Sequence, residues 1–289
     1  FEKYQENLKK YQKNSEKYQE KSLVSKELKD ELKGNINSYK ETPVLAVITI
    51  GKYNEKFVNN KKKACEYVGM SFLHISFDES VKEEKVIKRI KELNKDKYIN
   101  GIIVQLPLPF GFHEDKIIDA IDISKDVDGF KNGSIFIPPV ALGIMELFDY
   151  YKINLESKNV LVIGRNKRVG IPIMMECLKR NASVSICHSK TNNLSEYTKK
   201  SDIIISCVGK KDLITKSMIK PGTIIIDVGI TYENNKIYGD VKSNVYDKCS
   251  YITPVPGGVG PMTVIMLVKN TFEAYKKQNG IVDMFDLGW

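Results

Sequence analysis

The 289-residue sequence has no apolar run near the ~18 residues that cross a bilayer, so no membrane span is expected. Its first residues lack the apolar core of a signal peptide, and it opens on Phe1 rather than Met, which leaves room for an upstream targeting segment. Cysteine is sparse: Cys65, Cys177, Cys187, Cys207 and Cys249 are odd in number and never in C-x-x-C spacing, so reduced and mostly buried thiols of a cytoplasmic protein are expected. His74, His113 and His188 stand far apart, and no metal site is expected. The net charge of +9 comes with no interleaving of aromatic and basic residues, so phosphorylated small molecules rather than nucleic acid are the expected polyanions. Arginine is scarce, at four of the 45 basic residues, and two of the four, Arg165 and Arg168, lie in one turn.

That turn belongs to the most informative stretch, Asn159 to Pro172. Val160 to Ile163 is an all-apolar, β-branched run of the kind buried on both faces of a parallel sheet; Gly164 breaks it, and a helix pattern resumes at Gly170. A strand, a glycine turn and a helix in that order aim the helix's free N–H groups and positive dipole end beyond the strand, where a phosphate fits. With only Gly164 and Gly170 the G-x-G-x-x-G spacing is incomplete, and an ordinary α/β turn with solvated basic residues has the same look. The next apolar run, Ser183 to Cys187, ends in His188-Ser189-Lys190, where an NAD site usually carries an acid for the ribose 2′-OH. A hydroxyl and a cation suit a 2′-phosphate, as does the planar fork of arginine, so the expected dinucleotide is NADP.

The length gives room for two domains. Residues 1–21 are polar, with almost no aliphatic side chains, and read as a solvated extension. Leu23, Val24, Leu28 and Leu32 then recur at helical spacing over Ser22 to Tyr39. Strands are expected at Val44 to Ile50, Phe72 to Ile75 and Ile102 to Val104, with helices over Asn54 to Val68, Lys82 to Leu93 and Glu114 to Ile121. Phe57, Lys61 and Cys65 share one face of the first of these helices; a lysine in such an apolar line either snorkels to solvent or does chemistry. Gln105 sits where the third strand ends, at the ligand-binding edge of an open sheet. Of the two carboxylates in Lys125-Asp126-Val127-Asp128-Gly129, one is expected to cap a turn.

A long helix, Pro138 to Tyr151, leaves the first domain. Strands at Val160 to Ile163, Ser183 to Cys187, Ile203 to Cys207 and Thr223 to Val228 alternate with helices at Gly170 to Arg180 and Leu194 to Thr198, the pattern of a doubly wound parallel sheet, and a short run, Tyr251-Ile252, follows. Three glycines and three prolines from Pro254 to Pro261 let backbone approach a ligand closely, and Pro261 is expected to start a final helix running to about Lys277. The fold class is therefore α/β with an N-terminal domain over 1–139, a Rossmann-type domain over 140–265, a cleft between them, and a C-terminal helix in 266–289 that returns to the first domain.

Pro254 to Thr263 and Gln105 to Pro109, with Lys61-Lys62-Lys63-Ala64-Cys65, Lys125 to Gly129, Gly164-Arg165, Val169-Gly170 and His188 to Thr191, resemble the bifunctional methylenetetrahydrofolate dehydrogenase and methenyltetrahydrofolate cyclohydrolase family. The resemblance runs from about Ser22 to Lys276. It implies a homodimeric, NADP-dependent enzyme of one-carbon metabolism that oxidises 5,10-methylenetetrahydrofolate and hydrolyses the product to 10-formyltetrahydrofolate. Carried over by position, Lys61 is the catalytic lysine, Gln105 supports it, and Asp128 binds the folate. Phe57, Pro254, Pro256, Gly257 and Gly258 line the folate site. Gly164, Arg165, Asn166, Val169, Gly170, His188, Ser189, Cys207, Val208, Gly209 and Thr263 hold NADP, with Arg165 and Ser189 on its 2′-phosphate.

The chain departs from the family's pattern in places. Phe57 stands for the usual tyrosine and keeps a ring without the hydroxyl, which bears on the rate of hydrolysis. Pro138-Pro139-Val140-Ala141 stands for Pro-Cys-Thr-Pro, and the stretch before it is shorter, which bears on the shape of the folate site. Asn166 stands for serine. Two alternatives follow: a dehydrogenase with weak or lost cyclohydrolase activity, and a non-catalytic folate- or nucleotide-binding protein.

Overall fold

The computed structural model describes residues 24–234 and 236–281. The extension expected over 1–21 and the first residues of the helix expected from Ser22 lie outside them. The described chain divides into two compact units: an N-terminal unit of Leu28–Pro139 with residues 264–281, and a central unit of Val140–Thr263 with residues 24–27. Among the described residues no helix is long and apolar enough to cross a membrane.

The N-terminal unit is built on β1, Val44–Ile50, whose apolar run is buried in all but its first residue. β2, Ser71–Phe77, and β3, Gly101–Val104, flank it in the order β2-β1-β3, all parallel. Parallel neighbours need crossovers, and amphipathic helices supply them. The first helix, α1 over 24–37, precedes the sheet. α2, Glu55–Val68, joins β1 to β2, and α3, Glu83–Lys95, joins β2 to β3. α3 turns Val86, Ile90 and Leu93 onto Ala46, Ile48 and Ile102, where α4, Glu114–Asp119, adds Ile117. Gly101 opens β3 because a Cβ there would lie 2.9 Å from the Val127 side chain and 3.1 Å from Thr271.

Thr271 belongs to α8, Val259–Gln278, the final helix of the described chain. Its rings Phe272 and Tyr275 take the edge of Tyr39, at 5.5 and 5.8 Å between centroids. Its amides act as clamps. Gln278 donates to the carbonyls of Asn100 and Ser124, both at 2.9 Å. Asn270, only 4% exposed, donates to the carbonyls of Val127 and Ile137 at 2.9 Å each, fixing both ends of the segment that carries Asp128.

The central unit starts with α5, Pro139–Tyr150, most of which lies within it. A five-stranded parallel sheet follows, in the order β10-β7-β6-β4-β5: β4 Asn159–Ile163, β5 Ser183–Cys187, β6 Ile203–Ser206, β7 Ile224–Asp227 and β10 Tyr251–Ile252. α6, Gly170–Lys179, connects β4 to β5, and α7, Leu194–Lys200, connects β5 to β6. The chain moves outward from β4 to β5, then returns past β4 to β6. The strand order therefore reverses between β4 and β6, and the carboxyl ends of those two strands flank the crevice where ligands bind in such sheets.

Two features differ from the sequence reading. An antiparallel hairpin of β8, Thr231–Glu233, and β9, Lys236–Tyr238, interrupts the parallel alternation. α8 begins at Val259, so Pro261 is its third residue and not its first. Proline is accepted there because the first turn of a helix has no partners for its N–H groups in any case.

The Asn270 clamp can be tested by stability. Asn270→Leu keeps the bulk but leaves one buried and one partly buried carbonyl without their donor, and urea unfolding is expected to show a loss of about 1–3 kcal/mol. An unchanged midpoint would mean that the segment around Asp128 does not depend on α8.

Candidate active site

In the N-terminal unit, Asn54 starts α2 by accepting the Phe57 N–H on Oδ1 at 3.4 Å. Val58, Ala64, Cys65 and Val68 turn inward, which places Phe57 and Lys61 at the border of the buried face, each half-buried. Gln105 follows β3 and still follows the sheet's pattern, its N–H donating to the Ile48 carbonyl at 2.8 Å. Its side-chain Nε2 donates to the Leu106 carbonyl at 2.9 Å, so Oε1 faces the other way and accepts from Lys61 Nζ at 2.8 Å. The lysine does not snorkel: its amine ends on a neutral acceptor.

Burial pushes the Lys61 pKa below its ordinary value of 10.5, while the carboxylate of Asp128 pulls it back part of the way. Desolvation disfavours the charged ammonium, and a neutral amide oxygen returns less than a carboxylate would. Such an amine can take and return a proton closer to neutrality. Cys65, one turn further on, is no nucleophile, since burial pushes its thiol up to about 12.

The two carboxylates of the following loop divide their work. Asp126 is 1% exposed and accepts the N–H groups of Phe130 and Lys131 at 3.3 and 2.9 Å, so it is the turn-forming one. Asp128 is half-buried and is the one whose charge acts on Lys61. Lys125 is spent on the carbonyls of Leu93 and Asp96, at 3.0 and 2.7 Å. Gly129, at φ 66°, lets the short segment fold back so tightly that a Cβ would come within 2.5 Å of the Phe136 carbonyl oxygen.

In the central unit, backbone crowds the crevice between β4 and β6. A Cβ on Gly164, at φ 115°, would lie 2.8 Å from Cys207 Sγ, and one on Gly170 would lie 1.9 Å from the Gly164 carbonyl oxygen. Only glycine allows α6 to start this close to the end of β4. No side chain caps α6; Asn166 instead shapes the turn, its Oδ1 accepting the Arg168 N–H at 2.8 Å and its carbonyl the Ile171 N–H at 3.1 Å. Arg89 and Arg180 are spent on Glu92 and Asp149, whereas Arg165 is exposed and has no ion pair among the described residues. β5 lies beside β4 with Cys187 opposite Ile163, so Ser189 and Arg165 each follow neighbouring strand ends by two residues. His188 is used locally: its N–H donates to Thr191 Oγ1 at 2.9 Å and its Nδ1 accepts the Lys190 N–H at 3.2 Å. These glycines, the uncapped helix start and the unpaired arginine fit a dinucleotide.

Pro254 to Gly258 forms a closed turn. The Gly258 N–H donates to the Pro254 carbonyl at 2.9 Å, Val255–Pro256 is cis, and Gly257 takes φ 104°. Thr263, on the first turns of α8, donates its hydroxyl to the Val259 carbonyl at 3.1 Å. Val208 is 45% exposed beside Gly209, at φ 74°.

Comparison with known proteins assigns both units. Residues 20–128 match the model of the tetrahydrofolate dehydrogenase/cyclohydrolase catalytic domain, and residues 138–279 that of the NAD(P)-binding domain of the same family. The chain belongs to the tetrahydrofolate dehydrogenase/cyclohydrolase family. The bifunctional protein FolD of Thermodesulfovibrio yellowstonii is 44% identical over 278 residues, 91% of this chain and 97% of that protein. The bifunctional FolD of Campylobacter jejuni superposes with a TM-score of 0.86 at 40% identity, over 89% of this chain and 98% of that one. FolD of Trypanosoma brucei, solved with NADP cofactor and an inhibitor, gives 0.84 at 30% identity, over 88% and 95%. The chain is thus a methylenetetrahydrofolate dehydrogenase and methenyltetrahydrofolate cyclohydrolase with an NAD(P)-binding domain.

Sequence reasoning passed over two buried carboxylates of that domain, Asp227 and Asp240, at 2% and 0% exposure. An acid at the end of a strand and an acid after a glycine carry no sequence signal of a shared role; only the fold brings them together.

The electrostatics of Lys61 carry a test of sign. Because the Asp128 charge raises the lysine's pKa, Asp128→Asn is expected to lower it further. NMR titration of the Lys61 amine should then show its midpoint moving to lower pH. A midpoint that stays or rises would mean that Asp128 does not act on the amine.

Proposed function

We propose that the two reactions of this dehydrogenase/cyclohydrolase divide between the units: the N-terminal unit holds the folate and hydrolyses it, and the central unit holds NADP. The observation that carries this reading is the bond from Lys61 to Gln105, a half-buried amine on a neutral acceptor with a carboxylate acting on it. Phe57 offers its ring to the folate. Asp128 accepts from the amino-pyrimidinone edge of the pterin, the polar edge that a carboxylate suits best.

When bound, NADP supplies the acceptor for the hydride leaving the methylene carbon. The protein's share in that step is to hold donor and acceptor carbons in contact, and no general base is needed. Gly164, Val169, Gly170, Cys207, Val208 and Gly209 offer backbone to the dinucleotide, with Asn166, His188 and Thr263 beside them. Arg165 and Ser189 hold the 2′-phosphate. In the hydrolysis, water adds to the methenyl carbon and gives one proton to Lys61; the bond from that carbon to N5 then breaks as the formyl C=O forms, Lys61 passes its proton to N5, and the remaining hydroxyl proton leaves to solvent, which discharges the methenyl cation. The formyl group stays on N10. An amine with a lowered pKa suits both halves of that transfer.

The family resemblance further supports a cytoplasmic homodimer, which light scattering of the purified protein and fractionation of the source cells would read directly. Activity itself is tested by supplying 5,10-methylenetetrahydrofolate and NADP and following the reduced-nicotinamide and methenyl absorbances together. Reduced nicotinamide should accumulate while methenyl stays low. Equal rise of both would leave only the dehydrogenase, and no rise of either would contradict the reading.

Cofactor choice has its own test. Arg165→Ala is expected to weaken NADP by roughly 1.5–3 kcal/mol, the range for a hydrogen bond to a charged group, and NAD far less. Equal losses for the two cofactors would contradict the assignment of Arg165 to the 2′-phosphate.

A further inference from the structure

We infer that Asp240 is a positioning residue for the cofactor loop Cys207–Lys210, whose backbone it gathers from beneath into one fixed shape. The inference rests on the reading of that loop as a dinucleotide contact.

Asp240 is fully buried, and three donors from the last residue of β6 and the loop after it converge on its carboxylate. The Ser206 hydroxyl donates to Oδ2 at 2.6 Å, the Val208 N–H to Oδ2 at 2.9 Å and the Lys210 N–H to Oδ1 at 2.7 Å. Among the described residues no lysine or arginine forms an ion pair with it, so the loop's own donors take the place of a counter-ion. Gly209 lies between two anchored residues at φ 74°, and no acceptor among the described residues lies against its N–H. A loop pinned at 206, 208 and 210 presents Gly209 in one orientation without waiting for a ligand to impose it.

Asp240 is itself held. Its N–H donates to Asp227 Oδ1 at 3.0 Å, the Val241 N–H to Asp227 Oδ2 at 3.0 Å, and the Gly229 N–H to Asp227 Oδ1 at 3.1 Å. The Asp227 N–H donates to Thr253 Oγ1 at 2.8 Å, directly before the Pro254 turn. Burial pushes the Asp227 carboxyl up to about 6 against the pull of these N–H groups, so it is mostly ionised at neutral pH. The approach is close enough to exclude side chains: a Cβ on Gly229 would lie 2.0 Å from Asp240 Oδ1, and one on Gly239 2.0 Å from Asp227 Oδ2. The segments after β6, after β7 and before Pro254 are tied through two carboxylates.

The test compares NADPH affinity, measured by fluorescence, with both activities in Asp240→Asn and Ser206→Ala. Asparagine keeps the shape but turns an amide NH₂ toward a backbone N–H. We expect NADPH to bind about tenfold more weakly, with kcat at saturating cofactor within about threefold and methenyltetrahydrofolate hydrolysis, which needs no dinucleotide, unchanged. Ser206→Ala removes one donor and should weaken NADPH by about threefold; it decides the matter alone if Asp240→Asn does not fold. Unchanged NADPH affinity, or hydrolysis and oxidation falling in parallel with thermal stability, would overturn the positioning role while leaving the cofactor reading intact. No NADPH binding by the unaltered protein would overturn both.

Discussion

An amine held away from water on a neutral acceptor is the constraint around which the N-terminal unit is arranged. Lys61 reaches Gln105 only because β3 ends one residue before it and α2 runs beside the sheet from Asn54. Gln105 keeps its oxygen toward the amine because Leu106 takes its NH₂. Asp128 acts on the lysine from a loop that Asp126 folds and Asn270 clamps. Each of these supports removes a freedom that would let the amine reach solvent and regain its ordinary basicity.

The central unit obeys a different constraint, the close approach of backbone to backbone. Gly164 and Gly170 admit no Cβ, so the end of β4, the start of α6 and Cys207 meet within van der Waals distance. Below them, Asp227 and Asp240 satisfy the N–H groups that such crowding would otherwise strand. Main-chain groups aimed by a rigid frame suit a phosphate-bearing cofactor, and the exposed Arg165 suits its extra phosphate.

β1 was legible because a parallel strand buried on both faces is written as a short apolar run: Val44–Ile50 appears in the structure with the bounds read from sequence, as does the partly exposed Ser183–Cys187. The lysine's position on α2 followed from helical spacing, but its partner at 44 residues' separation followed from Gln105 standing at a strand end and from the family resemblance. The hairpin of β8 and β9 escaped notice, since six polar-rich residues around Asn234 carry little apolar alternation. The interlocked carboxylates escaped it too. Their partners are backbone N–H groups, which every residue has and no sequence pattern reports.

The separation of the two chemistries is tested most directly by Lys61→Met, with both reactions measured on one preparation. Methionine keeps the apolar stem of the lysine and removes only the amine. Hydrolysis of 5,10-methenyltetrahydrofolate should fall by about 10²-fold or more, while hydride transfer, which needs no base, falls far less. Hydrolysis that survives at its normal rate, or oxidation that collapses with it, would contradict the assignment of the proton transfer to Lys61.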